Sequence, residues 1–392
     1  MSLFSSWPCY TIEEAESVQK VLLSNKVNYW TGTESVYFEN EFADFIGSKF
    51  AVAVSNGTVA IDLALKALEI GAGDEVIVTS RTFIASVSSI VNAGATPVFA
   101  DVDRDSQNIT LDSIRKVYTD NTKAIICVHL AGWPCDMDPI VNFAFDKDLF
   151  VIEDCAQAHG AFYKGRAVGS IGDIGCWSFC QDKIITTGGE GGMVTTSNKQ
   201  LWNRIWSYKD HGKSWDSVYR QVHPPGFKWV HNSFGTNWRL TEMQSAIGRI
   251  QLRKLPDWSR TRRNYAYQIL EAARSSKLFR VPEFSCSGCN ADGACSCLHA
   301  FYKCYFFVNG NEELRDLIVA KINQLGVPCF SGSCSEVYLE KAFDNTDFRP
   351  SKRLPVAREL GETSLMFLCH PSLSQLAIDK TCSVIKEVEQ FI

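Results

Sequence analysis

Three places along this chain, Ser55-Asn56-Gly57-Thr58, Asp154 and Lys183, carry residue types that can serve one reaction together. The first lies between an apolar β-branched run, Ala51-Val52-Ala53-Val54, and a helical pattern over residues 59–68. A helix N-terminus offers free N–H groups and the positive end of a dipole, which suits an anion such as phosphate. Gly57 lets that anion approach the backbone and Thr58 adds a hydroxyl; the plainer reading is an ordinary helix cap. Asp154 follows a strand pattern over 149–153, apolar up to Ile152. A carboxylate at the mouth of a buried strand wants a cationic partner, and a protonated pyridine nitrogen is one; capping the next turn is the plainer fate. Lys183 stands between Trp177-Ser178-Phe179 and the glycine-rich Thr187-Gly188-Gly189-Glu190-Gly191-Gly192. A lysine acts as a nucleophile only when partly neutral, and burial moves it that way; a lone lysine is otherwise a solvated surface group. Phosphate cradle, carboxylate and lysine match the phosphate, ring nitrogen and aldehyde of pyridoxal phosphate.

The elements that must position these groups alternate. Strands are expected at 51–54, 75–78, 97–102, 124–128 and 149–153, with helices at 59–68, 83–92, 111–118 and 137–145 between them. Strands buried on both faces and joined by crossover helices form a mostly parallel α/β sheet. Ligands bind beyond the carboxyl ends of such strands, so residues 55–58, 79–83, His129 and 154–157 are the places to look. Residues 240–255 read as a long helix, and Arg260-Thr261-Arg262-Arg263 opens another. The expected division is a large α/β domain over 1–255 and a smaller α+β domain over 256–392.

Composition narrows the function. Of 392 residues, 45% are hydrophobic and 21% charged, and 39 basic against 44 acidic residues leave a net charge of −5. That balance opposes general nucleic-acid binding. No run approaches the ~18 apolar residues of a membrane helix, and the first residues lack the basic-then-apolar pattern of a secretory signal. Fifteen cysteines, mostly scattered in apolar stretches, read as buried thiols in a reducing cytoplasm. Cys286, Cys289, Cys295, Cys297 and His299 have ligand types that suit zinc. The second pair is too close for the usual arrangement, so a cysteine-bearing surface loop and no metal are expected.

With these residues in place the chain resembles the DegT/StrS-type sugar aminotransferases. The likeness runs from Tyr29-Trp30-Thr31-Gly32 and Phe38-Glu39 through Gly73-Asp74-Glu75-Val76-Ile77, Thr82-Phe83 and Glu153-Asp154-Cys155-Ala156-Gln157. It continues to Ser178 and Lys183, the glycine-rich run, and Gly235-Thr236-Asn237-Trp238-Arg239-Leu240-Thr241-Glu242. The resemblance implies a fold-type-I pyridoxal-phosphate architecture: a mostly parallel seven-stranded sheet flanked by helices, with a smaller C-terminal domain. It also implies residue roles. Lys183 is the Schiff-base lysine, Asp154 the partner of the ring nitrogen, and Gln157 the neighbour of the ring hydroxyl. Phe83 stacks on the ring, and Gly57, Thr58 and Ser178 hold the phosphate. Asn237 reaches the phosphate of a neighbouring subunit, which implies a homodimer with shared active sites. Part of the family carries histidine at the lysine position and dehydrates the sugar; lysine here implies transamination. Asp182 has no assigned role, and the cysteine-rich loop has no counterpart in the pattern.

The implied reaction moves an amino group from L-glutamate to a nucleotide-linked keto-sugar. The expected substrate is dTDP-4-keto-6-deoxy-glucose, aminated at C4, with a GDP-linked 4-keto sugar or a 3-keto sugar as alternatives. Trp30, Thr31, Lys209 and His211 are the candidate substrate contacts. The implied setting is the cytoplasm, in the supply of O-antigen lipopolysaccharide. A non-catalytic ligand-binding or regulatory module on the same fold is the reading from another class.

Overall fold

A computed structural model describes residues 3–284, 296–332 and 334–392. Helices α1 (Ile12–Leu23) and α2 (Glu34–Ile46) precede the sheet. Its strands are β1 (Phe50–Val54), β2 (Glu75–Thr79), β3 (Thr96–Ala100), β4 (Thr122–Val128) and β5 (Phe150–Asp154). After a short ribbon of β6 (Phe162–Tyr163) and β7 (Arg166–Ala167) come β8 (Ile174–Ser178) and β9 (Gly192–Thr196). Helices α3 (Gly57–Ala67), α4 (Ala85–Asn92), α5 (Leu111–Val117) and α6 (Met137–Asp146) make the crossovers. The order is β1-β9-β8-β5-β4-β2-β3. β9 runs against both its neighbours, while the β8-β5-β4-β2-β3 pairings are all parallel. The seven-stranded, mostly parallel sheet is therefore as expected.

Both faces of the sheet are buried, which is why its strands read as continuous apolar runs. In β2, Val76 and Val78 enter the core on one face and Ile77 on the other. β4 repeats this, with Ala124, Ile126 and Val128 opposite Ile125 and Cys127.

Beyond the sheet lie α7 (Lys199–Lys209), α8 (Trp215–Tyr219) and α9 (Glu242–Arg274). A second sheet of β10 (Phe279–Arg280), β11 (Cys304–Val308), β12 (Cys329–Phe330) and β13 (Ser364–Phe367) is antiparallel in the order β10-β11-β13-β12. Helices α10 (Glu312–Gln324), α11 (Pro355–Thr363) and α12 (Gln375–Glu387) accompany it. The expected helix break near Pro256 does not occur, because α9 is one helix with Pro256 inside it. Its first half packs Leu252 and Leu255 into the large-domain core, and its second half packs Ala266, Ile269 and Leu270 into the small-domain core. Packing at both ends carries the helix through a proline that costs a backbone hydrogen bond, and the ring itself is exposed. The division expected at 255/256 thus falls inside a helix shared by two cores.

Cys286, Cys289 and Cys295 lie outside the described residues; the Cys297 sulfur accepts from the Lys164 N–H at 3.2 Å. Among the described residues no helix is long and apolar enough to cross a membrane.

Candidate active site

The carboxyl ends of β1, β2, β5 and β8 converge on one cavity of ≈ 640 Å³. Gly57, Thr58, Phe83, Asp154, Gln157, Ser178 and Lys183 all line it. Residues as distant in sequence as Asn56 and Lys183 meet here because the parallel strands deliver their loops to the same edge.

At the start of α3, Asn56 supplies the cap: its Oδ1 accepts from Val59 N–H at 2.9 Å. The cap reading is thus met by Asn56. Gly57 and Thr58, in the first turn, keep N–H groups that the helix cannot satisfy. A Cβ on Gly57 would sit 2.6 Å from the Ser178 Cβ and 3.1 Å from its Cα. Only glycine lets α3 press against the end of β8, bringing first-turn N–H groups beside the Ser178 hydroxyl. These are donors of the kind an anion such as phosphate needs.

Asp154 is buried at the end of β5. Its Oδ2 accepts from Ser86 Oγ at 2.7 Å, and Oδ1 accepts from Ala156 N–H at 3.1 Å. Ser86 in turn lies 2.7 Å from Thr82 Oγ1. Among the described residues no ion pair reaches Asp154, so its carboxylate is free to meet a ring nitrogen. Sequence reasoning missed Ser86, because the bend at Thr82 that precedes α4 brings the two hydroxyls together and no helical spacing signals it.

The neighbouring Glu153 fixes this strand end. It is fully buried and accepts from the N–H groups of Gly169, Ile171 and Gly172 at 2.7–2.8 Å. His129 Nε2 lies 3.0 Å away, and its Nδ1 accepts from Cys135 N–H, so Nε2 carries the proton that is donated to Glu153. His129 is thus a buried structural partner and not a cavity residue, contrary to its expected place beyond β4. Cys155 comes near both, but the imidazole nitrogens and carboxylate oxygens are already committed. Burial opposes ionisation of Glu153, yet the hydrogen bonds from His129 and the backbone outweigh it and hold the carboxyl below its ordinary value of 4.5. A lowered folded value means the contribution to stability is whole above pH 4.5 and is lost as pH falls below it. Glu153→Gln is expected to cost about 3–5 kcal/mol at pH 7. Urea denaturation at a series of pH values should show a lower midpoint for the variant and a flatter acid decline.

Gln157 Oε1 accepts from Ala131 N–H at 2.8 Å, and its Nε2 lies 3.7 Å from Cys334 Sγ. Phe83 is 62% exposed, an apolar ring laid on the cavity wall with no core to enter. Lys183 is mostly covered. Its Nζ lies 3.8 Å from Asp182 Oδ2 and 5.2 Å from the centre of the Tyr302 ring. Its carbonyl accepts from Trp7 Nε1 at 2.7 Å. Gly188 and Gly189, with φ of 88° and 132°, turn the chain back so that Gln181 N–H reaches the Gly189 carbonyl.

Other expected contacts lie elsewhere in this protomer. Asn237 is exposed and bridges to Asp210 outside the cavity. Lys209 is not available to a substrate: it is fully buried, 3.6 Å from Glu39 and 3.8 Å from the centre of the Tyr29 ring. A lysine on the last turn of an amphipathic helix looks solvated in sequence, but here it faces inward to a buried acid. Trp30 is caged by Trp206 and Tyr219 and lies under Lys213. Thr31 donates to the Asn28 carbonyl, and His211 is exposed. None of these four lines the cavity.

An α/β sheet with an anion cradle, a buried carboxylate and a covered lysine at one edge defines a pyridoxal-phosphate-dependent aminotransferase. The chain belongs to the DegT/DnrJ/EryC1/StrS aminotransferase family, whose sequence profile matches residues 8–386. It is 36% identical over 386 residues to GDP-perosamine synthase of Escherichia coli O157:H7, covering 97% of this chain and 96% of that one. It is 35% identical over 361 residues to UDP-N-acetyl-3-dehydro-alpha-D-glucosamine 3-aminotransferase of Acidithiobacillus ferrooxidans, covering 91% and 88%. The X-ray structure of the aminotransferase from Psychrobacter cryohalolentis is 60% identical, covers 99% of both chains and superposes with a TM-score of 0.95. The protein is a sugar aminotransferase.

Proposed function

We propose that the protein moves an amino group from L-glutamate to C4 of a nucleotide-linked 4-keto-6-deoxyhexose, giving a 4-amino-4,6-dideoxyhexose nucleotide. The observation that carries this is the meeting of Lys183, Asp154 and the Gly57–Ser178 cradle in one cavity. Its ≈ 640 Å³ lies within the usual size of small-molecule sites. Bound there, pyridoxal phosphate would supply an aldehyde for the amino group and an electron-accepting ring. Lys183 would hold the aldehyde and, when free, would take a proton from the donor and return it. Asp154 would keep the ring nitrogen cationic. Gly57, Thr58 and Ser178 would anchor the phosphate, and Phe83 and Gln157 would hold the ring.

The nucleotide expected from the sequence is dTDP. The GDP-perosamine synthase relative favours a GDP-linked sugar as the second reading. We place the enzyme in the cytoplasm, in O-antigen supply, as a homodimer in which Asn237 serves the partner's phosphate. Support for the dimer comes from the segment before Asn237, where Val222 and Phe234 are 98% and 99% exposed and Phe227 and Trp229 also face outward. Apolar groups gathered in this way mark an interaction surface.

The test is to load the protein with pyridoxamine phosphate and offer dTDP-, GDP- and UDP-linked keto-sugars, reading product by mass and by NMR of the aminated carbon. The dTDP-4-keto-6-deoxy sugar should be consumed fastest. Preference for the GDP sugar would establish the second reading, and amination at C3 alone would refute the C4 assignment.

A further inference from the structure

Asp182, which no family role accounts for, sits directly before the lysine and lines the same cavity. Its carboxylate is 3.8 Å from Lys183 Nζ, and among the described residues it is the one acidic group that close. The Tyr302 hydroxyl donates to that carboxylate, and the Tyr302 ring lies beside the ammonium. Tyr302 comes from the segment that leads into β11, distant in sequence from the lysine it touches. We propose that Asp182, pinned by Tyr302, is a positioning residue that draws the Lys183 amine to one wall of the cavity and holds it there while it is off the cofactor. This rests on Lys183 being the amine that takes the cofactor.

The physical argument is short. Lys183 has to leave the cofactor when the donor amine arrives, yet stay within reach to move a proton. A fixed anion beside it gives the free ammonium a defined place and stabilises its charged form. Asp182 is suited to this. Burial works against its ionisation, but Lys183 and the Tyr302 hydroxyl outweigh it and hold the carboxyl below its usual range. Burial, and then the charge of Asp182, push the Tyr302 phenol well above its usual range, so it remains a donor. The other ionisable groups around the lysine do less. His159 is kept neutral, with its value lowered to about 3 by burial and then by Lys183 and Arg262. Lys303 is a like charge on the same segment as Tyr302. Cys180, Glu190 and Asp154 line the cavity without forming an ion pair to Lys183.

The experiment compares wild type with Asp182→Asn, Asp182→Glu and Tyr302→Phe. Full-length protein freed of cofactor is labelled with an amine-reactive anhydride at one fixed pH over a time course, and modification of Lys183 is read by peptide mass. Asp182 is about half exposed, so the asparagine variant should fold, and its melting temperature is checked. The labelling rate of Lys183 should rise about threefold or more in Asp182→Asn, because the amine loses the anion that holds it at the wall. Tyr302→Phe should raise it by less, and Asp182→Glu should stay near wild type. An unchanged rate in Asp182→Asn, with or without a change in melting temperature, overturns the proposal. Added pyridoxal phosphate should protect Lys183 from labelling; failure of that protection would sink the cofactor assignment instead, so the two outcomes are separable.

Discussion

Lys183→Ala is expected to lower amino-transfer kcat/KM by at least ~10²–10⁴-fold, the usual worth of a placed general base. The loss should exceed that of any other single change in the cavity, because the same amine both holds the cofactor and moves the proton. The fold should not suffer. The Lys183 side chain contacts a half-exposed acid and a ring, while its segment is held by the Trp7 indole N–H donating to its carbonyl and by the glycine-rich turn. The variant should therefore melt near the wild-type temperature and keep binding pyridoxal phosphate non-covalently through the Gly57–Ser178 cradle. Steady-state rates with glutamate and the keto-sugar, together with a melting curve, check both halves. A variant that retains more than a tenth of wild-type activity would remove Lys183 from the chemistry.

Asp154→Asn is the second large effect. Asparagine is nearly the same size and its Oδ1 can still accept from Ser86 or from Ala156 N–H, so the hydroxyl chain from Thr82 is largely preserved. The negative charge is what disappears. A ring nitrogen left without its anion in a buried site loses about 3–5 kcal/mol of support for its proton, which corresponds to roughly 10²–10⁴-fold in rate. The expected result is a fall of that size in kcat/KM with little change in the urea midpoint. This contrasts with Glu153→Gln one residue earlier, where stability should fall first. The pair separates a carboxylate kept for chemistry from one kept for architecture, although both end the same strand.

Much of this was legible in the sequence, for identifiable reasons. The strands of the parallel sheet announce themselves because burial on both faces demands unbroken runs such as Ala124 to Val128. The cavity residues follow because parallel strands send their loops to one edge. What escaped depends on partners distant in the chain. Tyr302 meets Asp182 across 120 residues, and nothing local to either residue signals it. Lys209, expected as a substrate contact, is instead held inward by Glu39 from α2. Pro256 reads locally as a helix end, yet two cores hold the helix on either side of it. The β9 strand, reversed within the sheet, has no periodicity to distinguish it from its parallel neighbours. In each case a tertiary contact decided the outcome over a local preference.

Borohydride reduction of the cofactor-loaded protein, followed by peptide mapping, tests the central claim most directly. The predicted result is one stable phosphopyridoxyl mass increment, carried by the peptide containing Lys183 and absent from Lys183→Ala. An increment on a different lysine, or none in protein that has visibly bound the cofactor, would contradict it.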